Sequence, residues 1–212
     1  MIELRGVDLN YNGNSLFRQF EFNARKGEKV AILGKSGTGK STLFKMILGF
    51  VRPDSGEVLI EDTPVNSDTV WDLRRRIAWV DQDVSVGDGR AKDLLQSAFE
   101  LKVNSGRDFP ENNMNGLLDY FELGEDKLDD SIEDLSGGER QRLAVILAVL
   151  LERDLFLLDE ITSALDRDLK RKTAEFFMDR PEWTVLVISH DPVWVNDRRV
   201  RVFDLEKERW KQ

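Results

Sequence analysis

The chain has 212 residues, enough for one large α/β domain or for a core with a smaller lobe. Its 40 acidic residues outnumber 31 basic ones, for a net charge of −9; this argues against a dedicated DNA- or RNA-binding face, whose affinity comes from displaced phosphate counterions. There is no cysteine, which excludes disulfides, thiolate-held zinc and iron–sulfur ligation.

At the N-terminus, "MIELRGVDL" lacks the basic-then-apolar layout of a signal peptide. "MIEL", "VDLNY" and "FEFNA" read as strands, with turns at "YNGN" and "RKGE". "KVAIL" is a short apolar run that meets the glycine-rich "LGKSGTGKST", and "STLFKMILGF" then has helical spacing with Gly49 as its stop. "RPDSGEVLIEDTPV" reads as a turn and a hairpin, and "RRIAWVD" as a further strand.

From about Asp83 to Leu135 strand-like runs vanish, and "AKDLLQSAFELK" and "NMNGLLDYFEL" have helical periodicity. Residues 83–135 are therefore expected to form a helical lobe inserted into a sheet domain made by 1–82 and 136–212. The longest apolar run, "LAVILAVLL" from Leu143 to Leu151, falls short of the ~20 residues that span a bilayer and reads as a buried helix. Any membrane contact is thus expected through a partner. Strand signals return at "DLFLLDE", "WTVLVISH" and "RVRVFDL".

Gly34-Lys35-Ser36-Gly37-Thr38-Gly39-Lys40-Ser41 matches the phosphate-loop pattern G-x-x-x-x-G-K-[ST] and, with Thr42, lies between a strand and a helix. Glycines let backbone N–H groups turn inward around an anion, and the following helix adds its positive end. Lys40 is expected to reach the β- and γ-phosphates of a nucleotide, and the Ser41 hydroxyl to ligate Mg²⁺. "DLFLLDE" ends on Asp159-Glu160, as a buried parallel strand does when it delivers carboxylates to the ligand-binding edge of a sheet. Asp159 is the candidate Mg²⁺ holder and Glu160 the residue that polarises the attacking water. Alone, such a pair reads as a solvated strand edge; the phosphate loop reverses that reading.

"LSGGERQ", Leu135 to Gln141, contains an S-x-x-E capping box, Ser136 with Glu139, before the apolar run. The box leaves two consecutive glycines unexplained, because glycine is a poor helix former and no local need for it is visible. With these residues the chain resembles the ATP-binding-cassette (ABC) ATPase family, whose signature is LSGGQ-like. The resemblance covers nearly all of the chain and implies an α/β fold: a P-loop NTPase core with a mostly parallel sheet, an N-terminal antiparallel β subdomain and an inserted helical lobe. It further implies ATP hydrolysis with Mg²⁺ and head-to-tail pairing of two copies around two ATP molecules. Ser136, Gly137 and Gly138 would then contact the γ-phosphate of ATP held by the opposite subunit.

By the same resemblance, Tyr11, 23 positions before Gly34, stacks on adenine. Gln82 touches Mg²⁺ and water, Ser163 to Asp166 form the loop at the dimer interface, and His190, the single histidine, contacts the γ-phosphate. Ile161 and Asp81 stand where the family commonly has proline; neither removes a catalytic group. "LLDEITSALD" is also similar to ATPase subunits of a small bacterial group linked to iron or metal export, a likeness resting on one substitution.

The leading expectation is the ATPase subunit of a transporter, cytoplasmic and held to the membrane face by integral membrane subunits that dock near Gln82 to Asp88. The alternative is a soluble or assembly-type ABC ATPase, acting in iron–sulfur assembly, cell division or chromosome maintenance. No nucleic-acid partner is expected, and the sequence does not read out cargo or direction.

Overall fold

The computed structural model describes residues 1–11, 13–82, 89–104 and 106–211, and for Tyr11 and Asn14 the backbone. The chain opens with β1 (Ile2–Tyr11) and β2 (Asn14–Ala24), which pair antiparallel. There follow β3 (Lys29–Leu33), α1 (Lys40–Ile47), β4 (Ser55–Ile60), β5 (Thr63–Pro64), α2 (Val70–Arg74) and β6 (Ile77–Val80). The middle of the chain holds α3 (Ala91–Glu100) and α4 (Glu111–Tyr120). The last part runs α5 (Gly137–Leu150), β7 (Leu155–Asp159), α6 (Arg167–Met178), β8 (Thr184–Ile188), α7 (Pro192–Val195), β9 (Val200–Asp204) and β10 (Arg209–Trp210).

Two sheets result. One is antiparallel, in the order β2-β1-β4-β5; the other runs β10-β9-β3-β8-β7-β6 and is parallel except for β10 at its edge. Central strands β3, β7 and β8 are buried along their full length, which explains their unbroken apolar sequences. Alternation still sorts their side chains. Leu155, Leu157, Val30 and Ile32 face the core shared with β1, β2 and α1, whereas Phe156, Leu158, Val185 and Val187 face the core shared with α3 to α6. The sheet is therefore the middle layer between an antiparallel β layer and a helical layer.

Between β6 and β7 the described residues contain helices, short 3₁₀ turns and one isolated bridge, Arg90 to Ser131. The N-terminal strands depart from expectation. "MIEL" and "VDLNY" are one strand, because Gly6 takes a left-handed φ of +55° at a register shift and lets pairing resume at Val7. β2 likewise starts at Asn14, well before "FEFNA".

Candidate nucleotide site

All strands of the parallel run point the same way, so the ends of β3, β8, β7 and β6 meet on one sheet edge. There a cavity of about 470 Å³ is lined by Ser36, Gly37, Gly39, Lys40, Ser41, Thr42, Gln82, Asp159, Glu160 and His190, with Leu16 of β2 as an apolar wall. These residues are drawn from five separate stretches of sequence.

The loop after β3 is shaped by glycine where no other residue fits. Gly39 has φ +96°, and a Cβ there would lie 2.9 Å from the Phe17 ring and 3.1 Å from Leu16. Lys40 begins α1, and its Nζ folds back over the loop, donating to the carbonyls of Gly34 at 2.6 Å and Lys35 at 3.0 Å. No carboxylate among the described residues lies within salt-bridge distance of this ammonium, although its charge acts on Asp159. His190 Nε2 donates to the same Gly34 carbonyl at 3.1 Å, tying the end of β8 to the loop. Lys35 turns outward to Glu206, at 2.9 Å, and the Thr38 hydroxyl donates to the Lys35 carbonyl at 2.9 Å.

Facing α1, the Ser41 hydroxyl donates to Asp159 Oδ2 at 2.9 Å. Burial pushes the Asp159 carboxyl up to about 6; the Ser41 hydrogen bond opposes this, Asp81 and Glu160 reinforce it, and Lys40 opposes it. A buried carboxylate beside a hydroxyl, with two further acids near and too little positive charge, is a donor set that suits a small oxygen-seeking dication such as Mg²⁺. Glu160 itself sits in the left-handed region at φ +49°, which costs about 1–3 kcal/mol for a non-glycine residue. Its N–H donates to the Ile188 carbonyl at 2.9 Å, and its carbonyl accepts from Gln141 Nε2 at 3.0 Å. Gln141, buried on α5, also accepts from the Ala164 N–H at 3.4 Å. Sequence reading passed over Gln141; only its place at the end of "LSGGERQ" pointed to it.

Ser136, Gly137, Gly138 and Asp166 do not line this cavity. Ser136 is the N-cap of α5, in a complete capping box with Glu139: Ser136 N–H donates to Glu139 Oε2 at 2.8 Å, and Glu139 N–H to Ser136 Oγ at 3.3 Å. A Cβ on Gly138 would lie 3.1 Å from the Ala164 carbonyl, so one of the two glycines does have a local need. Gly137 faces open space. Asp166 caps α6, accepting from the N–H groups of Asp168 and Leu169, both at 3.0 Å. Tyr11 ends β1, but its side chain, like residues 83–88, lies outside the described part of the chain.

A glycine loop between strand and helix, with a serine of that helix on the carboxylate that ends another parallel strand of the sheet, defines a P-loop nucleoside triphosphatase. The ABC transporter family model matches residues 17–163. An ATP-dependent lipid A-core flippase of Xylella fastidiosa (strain Temecula1) is 36% identical over 204 residues, covering 90% of this chain and 33% of that protein. The flippase of Xanthomonas axonopodis pv. citri is 34% identical over 197 residues, with the same coverages. The chain thus spans about a third of the length of these curated relatives. Among solved structures, the ATP-binding cassette MJ0796, a dimer in a post-hydrolysis state bound to ADP and Pi, superposes with a TM-score of 0.82 at 26% identity over 97% of this chain and 95% of that one. CbiO1 of Clostridium perfringens, part of the ABC transporter complex cbiONQ, shares the fold, with a TM-score of 0.75 at 24% identity over 100% of this chain and 86% of that one.

The chain belongs to the ABC transporter family. It is an ATP-binding, ATP-hydrolysing cassette, and its layered α/β architecture is the one the signature resemblance implied.

Proposed function

We propose that the chain is the motor of a membrane transporter: two copies close head to tail around two ATP molecules and drive integral membrane subunits or domains. The observation that carries this reading is the division of the site. The loop from Gly34 to Thr42, Asp159, Glu160, Gln82 and His190 are gathered on one sheet edge, while Ser136 to Gly138 begin a helix away from that cavity. A second copy would bring its own Gly137, which no side chain covers, against the nucleotide.

In this reading Lys40 leaves the Gly34 and Lys35 carbonyls to bind phosphate, and Ser41 and Asp159 hold the metal ion. When bound, Mg²⁺ neutralises phosphate charge and fixes the oxygens for in-line attack. Glu160, held by Gln141, takes the proton of the attacking water; Gln82 and His190 orient the water and the γ-phosphate. Tyr11 stacks on the base, and Asp166 ends the loop that meets the partner copy. Because the closed dimer alone makes both sets of contacts, ATP shifts the population toward it. No helix among the described residues is long and apolar enough to cross a membrane, so force would pass to other membrane segments, docking near Gln82 to Asp88.

Affinity purification from gently solubilised membranes of the native host tests the transport reading. A polytopic membrane protein recovered in near-equal amount, or membrane segments continuous with this chain, is the expected result. Recovery only from the soluble fraction, with scaffold proteins, would instead support an assembly ATPase on the same chemistry.

A further inference from the structure

A cavity larger than the nucleotide site lies elsewhere in the chain. It measures about 780 Å³ and lies at the opposite sheet edge, where β7 and β8 begin. That is within the range of roughly 300–1,000 Å³ usual for small-molecule sites. Leu117 and Tyr120 of α4, Leu150 at the end of α5, Phe176 of α6 and Trp183 ahead of β8 give it apolar and largely aromatic walls. The Tyr120 hydroxyl is already engaged, donating to the Lys172 carbonyl at 3.1 Å, so the ring is fixed as a wall.

Its charge is what selects a ligand. The Arg180 guanidinium lies 3.5 Å from the centre of the Phe176 ring and 4.8 Å from that of Trp183, a flat cation laid on an aromatic floor. Among the described residues its hydrogen bond goes to the Phe176 carbonyl. Arg153, 8% exposed, bonds to the Arg75 carbonyl and to Asn104 Oδ1. Neither arginine has a carboxylate within 4.0 Å among the described residues, whereas the cavity's acids Asp154 and Glu152 are taken by Arg76 at 2.9 Å and Arg107 at 3.7 Å. Glu182 is exposed on the rim. Behind the wall, Lys29 is also buried, donating to the carbonyls of Gly27, Arg180 and Trp183, with the Glu182 carboxylate as the counter-charge that acts on it. Burial and the neighbouring cations Arg107 and Arg75 push the Arg153 guanidinium below its ordinary value, as expected of a charge lacking its counter-ion.

We propose that this cavity is a second binding site, for a flat aromatic ligand carrying an anionic group. The ring packs among Tyr120, Phe176 and Trp183, and the anion sits on Arg180 with the buried charge of Arg153 behind it. Guanidinium stacked on aromatic rings, with Nη1 on the Phe176 carbonyl and no carboxylate within 4.0 Å among the described residues, suits a planar carboxylate, sulfonate or phosphate ester. The site is independent of the proposed transport function and of the nucleotide loop.

The test uses the full chain and two probes, 2-naphthoate and its uncharged analogue 2-naphthamide, followed by Trp fluorescence and by calorimetry with saturating ATP present. Saturable 1:1 binding of 2-naphthoate is expected, about tenfold tighter than the amide. Arg180→Gln should bring the two probes to equal affinity. Gly116→Phe provides a control that keeps the fold: Gly116 lines the cavity within α4, and a Cβ there meets nothing within 4 Å, so the larger side chain enters the cavity and should abolish binding. No saturable binding, no preference for the anion, displacement by ATP, or unchanged binding in Gly116→Phe would each overturn the proposal.

Discussion

Gln141 and Glu160, nineteen positions apart in sequence, are joined by a 3.0 Å hydrogen bond from the glutamine side chain to the glutamate carbonyl. The bond connects the signature helix to the acidic end of β7, and it holds a residue whose φ of +49° is unfavourable for any side chain. Through its oxygen, Gln141 also accepts from the Ala164 N–H. One buried amide thus fixes the backbone of the residue whose carboxylate is proposed to polarise water, and the loop proposed to meet a second copy.

Gln141→Met keeps the volume and removes both bonds. Leaving buried polar groups unpaired costs about 1–3 kcal/mol, so the melting temperature should fall. ATP affinity should stay within about twofold while kcat drops about tenfold, the pattern of a displaced positioning contact. Unchanged kcat in a folded variant would remove Gln141 from the positioning of Glu160.

Such a link could not be read from the sequence. The glycine loop and the β7 terminus are contiguous strings whose chemistry is local, and each appears where the sequence placed it. Gln141 lies in "ERQRL", a stretch that reads as an exposed polar turn of helix until α5 packs against the loop after Glu160. The capping box of Ser136 and Glu139 was legible because both partners fall within one turn; the Ala164 carbonyl beside Gly138 was not, being a contact between distant segments. The short α2, α7 and β10 carry too few residues for periodicity to register. β1 was misdivided because its bulge at Gly6 looks like a turn when its partners β2 and β4 are unknown.

Lys40→Ala should weaken ATP binding by about a hundredfold, since a charged hydrogen-bonded contact to phosphate is worth roughly 2–5 kcal/mol. The fold should survive, because what the ammonium holds in the nucleotide-free chain is two loop carbonyls. Fluorescent-nucleotide titration reads the result. Full retained affinity would show that the loop does not bind phosphate.

Glu160→Gln and Ser136→Arg separate chemistry from closure. Glu160→Gln keeps shape and hydrogen bonding but cannot accept a proton, so hydrolysis should fall by about 10²–10⁴-fold while ATP-bound dimers accumulate in sedimentation. Ser136→Arg places a bulky cation at the start of α5, and monomer ATP affinity should be unchanged because this position does not line the nucleotide cavity. Dimers should then fail to form even when combined with Glu160→Gln. Dimerisation of the double variant at wild-type strength would exclude the composite site.

Asp159 gives the site a pH dependence whose sign can be worked out. Its carboxyl is raised from 3.8 to about 6, chiefly by burial, so the folded chain binds this proton more tightly than the unfolded chain. Protonation therefore stabilises the nucleotide-free fold below about pH 4, and that contribution is lost as pH rises through 6. Allowing for solvent screening at the cavity, the loss is about 1–2 kcal/mol. Asp159→Asn removes the charge but keeps an acceptor for Ser41, so without nucleotide it should match wild type near pH 4 and exceed it at pH 8. The same variant should lose the Mg²⁺ dependence of ATP binding, because the amide is a weak ligand for that ion. Urea unfolding across pH 4–8, with and without ATP and Mg²⁺, reads both effects. If the stability difference between variant and wild type does not grow with pH, the Asp159 charge is not the destabilising element. If it grows while the Mg²⁺ dependence persists, the metal is held elsewhere.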